Sequence, residues 1–119
     1  MSPIPTAIFR DVIAQGADYD LAILDRQPDH SATDLSGCTA RFQLRRNVGD
    51  PVATVDLTSE PPAGLTLAGV DGRIDLRLTA DQTRALSGTY LGHLEVTWPG
   101  GRVDRLLEVI LTVSPEIVR

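Results

Sequence analysis

The stretch from Thr89 to Val113 constrains the fold more than any other, because it reads as two strands joined by a turn that suits glycine. Tyr90, Leu94, Val96 and Trp98 alternate with Leu91, His93, Glu95 and Thr97, a period of two that marks a strand with one buried face. Gly100-Gly101 supplies two residues able to take positive φ, as a two-residue type I′ hairpin turn requires. Val103, Leu107, Val109, Leu111 and Val113 return at the same period. With the two glycines as the whole loop, Trp98 faces Val103, Leu94 faces Leu107 and Tyr90 faces Leu111. Glu95, Thr97, Asp104 and Glu108 then share the solvent side. Leu91, Leu106 and Ile110 fall on that side too, and two readings fit them. Either a β-bulge turns part of one strand inward, or the strip is covered by another chain.

The remaining chain supplies further short strands. Thr6 to Ile13 forms an edge-type strand behind the proline-stiffened start Met1-Ser2-Pro3-Ile4-Pro5. Asp18 to Leu24 alternates Tyr19, Leu21 and Ile23 against Asp18, Asp20 and Ala22. After a polar loop and an Asp34-Leu35-Ser36-Gly37 turn, Cys38, Ala40, Phe42 and Leu44 line one face of the next strand. Val52 to Leu57 follows, then a stiff Ser59–Gly64 loop, a short strand at Leu65 and Leu67, and an Asp71-Gly72 turn. Arg73 to Leu78 points Ile74, Leu76 and Leu78 inward. Thr79-Ala80-Asp81-Gln82 matches a capping box, with one helical turn over Thr83 to Leu86 before Ser87-Gly88 ends it. Turn signals about every ten residues between such strands are the mark of a β-sandwich. Phe42, Leu76, Leu94, Val96, Trp98, Leu107 and Val109 are the expected core.

Composition narrows the function classes. A chain of 119 residues is one domain with room for a core. Its formal charge of −5, from 11 basic and 16 acidic residues, argues against a nucleic-acid binder or a membrane-surface protein. Cys38 is the single cysteine, so no intrachain disulfide forms; it reads as a small buried hydrophobe, with a reactive thiol as the alternative. The N-terminus lacks the basic and apolar regions of a signal peptide, and no run is long enough to span a membrane.

No catalytic or metal site is visible. His30 and His93 have no second ligand at suitable spacing, and His93 falls opposite Glu108 on the outer face. Asp18 and Asp20 share one side of a strand, where a solvated face is the default and calcium or acid–base work the alternative. No nucleophile elbow, phosphate cradle or cofactor motif occurs.

Asp34-Leu35-Ser36-Gly37-Cys38-Thr39-Ala40-Arg41-Phe42-Gln43-Leu44-Arg45, then Gly72-Arg73-Ile74-Asp75-Leu76, Gly88-Thr89-Tyr90, Leu94-Glu95-Val96 and a closing Val113-Ser114-Pro115 form a wider pattern. It resembles small tail-associated proteins of tailed bacteriophages and is similar to the immunoglobulin-like N-terminal domain of phage baseplate upper proteins. The resemblance runs from about Asp18 to Pro115 and implies an all-β, immunoglobulin-like antiparallel sandwich of about seven strands with one short helical turn. Residues 1–17 would be an arm and edge strand, 18–115 the sandwich and 116–119 a tail. The implied role is a non-enzymatic virion component that docks tail, baseplate or fibre parts. Its partners would be other virion proteins or copies of itself, with no nucleic acid, membrane, cofactor or small-molecule substrate.

Longer members of that group continue into a trimerising or receptor-binding region. Ending at Arg119, this chain is expected to be a stand-alone adaptor, made in the host cytoplasm and carried in the virion. A capsid decoration or head-fibre protein is the alternative; a carbohydrate-binding module fits poorly with 4% aromatic residues and Trp98 turned inward. The partner-binding residues expected are Pro3, Ile4, Pro5, Ile8 and Phe9 in the arm, and Leu91, Leu106 and Ile110 on the sheet.

Overall fold

Alternation of the kind seen in Thr39–Arg45 recurs along most of the chain, and in the computed structural model, which describes residues 7–118, it builds two facing sheets. The strands are β1 (Ala7–Ala14), β2 (Tyr19–Leu24), β3 (Thr39–Arg45), β4 (Val55–Ser59), β5 (Pro62–Ala63), β6 (Leu65–Ala68), β7 (Arg73–Leu78), β8 (Gly88–Thr97) and β9 (Val103–Ser114). One sheet has six strands in the order β1-β9-β8-β3-β4-β5, the other three in the order β2-β7-β6. That is the immunoglobulin-like arrangement, with β4 and β5 extending the larger sheet as in variable-type domains. Nine strands are therefore formed among the described residues, against about seven expected. The two-residue β5 and the separation of β1 account for the excess.

One pairing departs from the antiparallel expectation. β1 runs parallel to β9, with Ala7 opposite Leu107 and Ile13 opposite Val113. The chain enters at the sheet edge and must then cross to the other sheet for β2, which a parallel entry allows. Ile13, with no exposure, is fully part of the core.

The core lies between the inward faces. Phe42, Leu76, Leu94, Val96 and Val109 are buried as expected, while Trp98 and Leu107 pack against them part-buried. Leu35 and Leu86 join them from turns on either side of the strands. Gly92 occupies an inward position of β8 because a side chain there would overlap Leu44, the Gln43 carbonyl and Val109. The capping box forms as expected: the Thr79 hydroxyl accepts from the Gln82 amide, the Thr79 amide donates to Gln82 Oε1, and α1 spans Ala80–Arg84. Thr83, fully buried, ties this turn to the β1–β2 connection by accepting from the Gly16 amide and donating to the Ala17 carbonyl.

The hairpin differs from expectation in its loop. The Gly101 amide donates to the Trp98 carbonyl and the Trp98 amide to the Arg102 carbonyl, so three residues close the turn rather than two. Pro99 followed by Gly100 at φ 97° is the type II pattern, not type I′. The extra residue shifts the pairing so that Thr97, not Trp98, faces Val103. A bulge at Leu106 restores the frame, and Leu94 still faces Leu107 and Tyr90 still faces Leu111.

Candidate functional site

The outer face of the six-stranded sheet collects the side chains that the core does not use. Across it, one row of the pairing register reads Arg10, Ile110, Leu91, Arg45 on β1, β9, β8 and β3. The adjacent row reads Ile8, Glu108, His93, Gln43, Asp56. On the other side lie Val12, Thr112 and Thr89. Ile8 and Val12 stand diagonal to Ile110, within reach of its side chain. Together these make an apolar band that starts at Ile8 (60% exposed) and Val12 (58%), passes through part-buried Ile110, and reaches Leu91 (37%). The β3–β4 loop adds Val48, 80% exposed, which with Leu91 walls a cleft of about 250 Å³. Arg41, Gln43, Arg45, Gly92, His93 and Glu95 complete its lining.

Charges on this face are placed by the register. Arg41 grips Asp56 through two hydrogen bonds of 3.0 and 2.7 Å. The hydrogen bond from Arg41 holds the Asp56 carboxyl below the usual carboxylate range, with Arg45 adding to the effect. His93 pairs with Glu108 across the ladder as expected, at 3.5 Å, and Arg105 reaches the same carboxylate at 3.0 Å. Arg45 is different. Its Nε donates to the Asp50 carbonyl and its Nη1 to Gln43 Oε1, both neutral acceptors.

Of the expected partner-binding residues, Ile8, Leu91 and Ile110 lie in the band. Pro3, Ile4 and Pro5 fall outside the described residues. Phe9 and Leu106 are corrected in placement: Phe9 faces inward next to Val109, and the bulge turns Leu106 onto the core. Of the two readings, the bulge is present and accounts for Leu106, while Leu91 and Ile110 stay on the outer face. Val12, Val48, Arg10 and Arg45 were not singled out by the sequence. Val12 and Arg10 keep step with Ile8 at a period of two, a signal blurred by inward Phe9 and Ile13. Val48 gave none, lying in a turn.

The other candidates are occupied by structural roles. Asp18 and Asp20 both face Arg77, at 2.8 and 3.8 Å, and Asp18 also accepts from the Ala80 amide. Cys38 is half-buried, and burial followed by the nearby Asp34 charge pushes its thiol up, away from the thiolate. The Trp98 indole donates to Asp104 at 2.8 Å, and Arg102 lies over its ring. Among the described residues no group of three or more His, Cys, Asp or Glu converges as for a metal, and no helix is long and apolar enough to cross a membrane.

No family model and no curated protein matches the chain. Among solved structures it is similar, with 16% identity and a TM-score of 0.54, to a chain in the crystal structure of ICOS in complex with ICOS-L and an anti ICOS-L VNAR domain, over 92% of this chain and 56% of that one. It is also similar to extracellular domains 3–5 of Drosophila OTK, at 16% identity and a TM-score of 0.41, over 90% of this chain and 33% of that one. The chain thus spans about half the length of the first. The first likeness, together with the strand order, makes the fold an immunoglobulin-like β-sandwich.

Proposed function

We propose that this chain is a non-enzymatic docking domain that binds other protein chains through the outer face of its six-stranded sheet. The observation that carries this is the band of Ile8, Val12, Ile110, Leu91 and Val48, apolar side chains placed side by side along one sheet face, whereas the other exposed large apolar residues lie at strand ends, in loops and in the C-terminal segment. A contiguous exposed apolar surface rimmed by polar groups is what a protein interface looks like before its partner arrives. The setting follows the sequence resemblance: a tailed-phage virion, assembled in the bacterial cytoplasm, in which the domain joins tail, baseplate or fibre parts. A head-decoration role would use the same face.

Incorporation into particles tests it. Tagged wild type, Leu91→Ser with Ile110→Ser, and the opposite-face control Ala22→Ser are each produced during infection and counted in purified particles. All three should fold with similar melting temperatures. The wild type and the control should enter particles, and the double variant should be lost from them. Equal incorporation of all three would overturn the docking face; absence of the wild type would overturn the virion setting.

A further inference from the structure

We propose that the surface docking on this face is acidic, an extended protein segment with an apolar side chain flanked by carboxylates that pair with Arg45 and Arg10. The proposal rests on the docking reading above and deepens it by naming the partner's chemistry.

It comes from the row Arg10–Ile110–Leu91–Arg45. Two arginines bracket two apolar side chains, and among the described residues neither arginine is ion-paired. Elsewhere on the face the arginines have carboxylates: Arg41 has Asp56 and Arg105 has Glu108. Arg45 is the more telling case. It is part-buried in the cleft between Val48 and Leu91, and two neutral acceptors fix its guanidinium without neutralising it. Its Nη2 makes no hydrogen bond among the described residues. Held in place and partly desolvated, with no carboxylate at ion-pair distance among the described residues, the Arg45 guanidinium keeps Nη2 open to an incoming carboxylate, although the charge of Asp56 lies close enough to be felt. The chain as a whole is acidic, at −5, so two cations left free beside its apolar band run against the average.

Spacing fixes the shape of the partner. Arg10 and Arg45 sit three strand intervals apart, roughly 14 Å. An extended segment covers about that distance between residues i and i+4, which point to the same side as residue i+2. An acidic–x–apolar–x–acidic segment laid across the strands therefore meets both arginines and sets its central side chain against Ile110 and Leu91.

The probe is acetyl-Glu-Val-Leu-Val-Glu-amide, titrated into the isotope-labelled domain and followed by amide chemical shifts. Shifts should cluster at Arg10, Arg45, Leu91 and Ile110. The matching peptide with Gln for Glu, and the Arg45→Gln protein with the original peptide, should each bind about fivefold more weakly or worse. Arg10→Gln should give a smaller loss, its arginine being the more exposed. Equal binding of the Glu and Gln peptides, shifts elsewhere, or no shifts would overturn the proposal. So would a similar response to inorganic phosphate or a short oligonucleotide, which would make the site a general anion site. Binding lost in Leu91→Ser but kept in Arg45→Gln would leave the docking face standing and remove the acidic partner alone.

Discussion

The outer faces of the two sheets start from the same alternation and end with opposite character. On the three-stranded sheet every outward position of β7 is charged, and each charge has a partner: Arg73 holds Asp75, and Arg77 holds Asp18 and Asp20. Ala22, Thr66 and Ala68 fill the spaces with small side chains, and Leu24 stands singly at the end. On the six-stranded sheet, apolar side chains run from β1 across β9 to β8, and among the described residues the two bracketing arginines form no ion pair. A face that settles its charges internally and keeps apolar groups small has little to gain from a partner. A face that leaves both unsatisfied gains area and charge pairing on contact.

The comparison should vanish in the core. Phe42→Ala on one sheet and Leu76→Ala on the other remove side chains buried to 1% and 2% exposure. Each should cost roughly 2–5 kcal/mol in urea unfolding. A near-neutral result for either would mean that the sheets do not share one core. Gly92→Ala sharpens the account of the larger sheet, because the new Cβ would sit 2.5 Å from Leu44 Cδ2 and 2.8 Å from the Gln43 carbonyl. A loss of roughly 1–3 kcal/mol is expected from overpacking, and an unchanged midpoint would refute the close approach of β8 to β3. Arg77→Gln on the smaller sheet should cost under about 1 kcal/mol, shrinking further in salt, as exposed pairs do. A large, salt-independent loss would show that this face is more than solvated surface.

Titration separates the sheets at opposite ends of the pH scale. The Asp56 carboxyl lies below its ordinary value because Arg41 binds the ionised form. Its stabilisation is therefore complete above the usual carboxylate range, near pH 4, and is lost as pH falls through the lowered value. Burial in the smaller sheet, then the hydrogen bond to Asp11, raises the Tyr19 hydroxyl above its ordinary value. That contribution is complete below about pH 10 and is lost as pH rises beyond it. Melting temperatures against pH should show Asp56→Asn flattening the acid limb and Tyr19→Phe the alkaline limb. Limbs unchanged in both variants would remove these assignments.

How much of this was legible beforehand depended on how local the signal was. Strands β3, β7, β8 and β9 announce themselves by alternation, and the capping box by four adjacent residues. The pairings Tyr90–Leu111 and Leu94–Leu107 were readable although the loop was not, because the third loop residue and the bulge at Leu106 cancel. Leu35 hides in a run of Asp, Ser and Gly whose composition speaks only for a turn, yet it is buried. The site was legible in part. Leu91 and Ile110 stood out as apolar residues on a polar face and Ile8 as part of the apolar run behind the proline-stiffened start, whereas the alignment of Arg10 with Arg45 in one row needs a parallel pairing between residues some hundred positions apart, and nothing local encodes it.

Site-directed photo-cross-linking tests the contrast between the faces most directly. A benzophenone amino acid replaces Leu91 in one protein and Ala22 in another, each is expressed during infection, and adducts are resolved after irradiation of assembled particles. The account predicts discrete adducts to another protein chain from position 91 and none from position 22. Adducts from position 22 with none from 91 would contradict it.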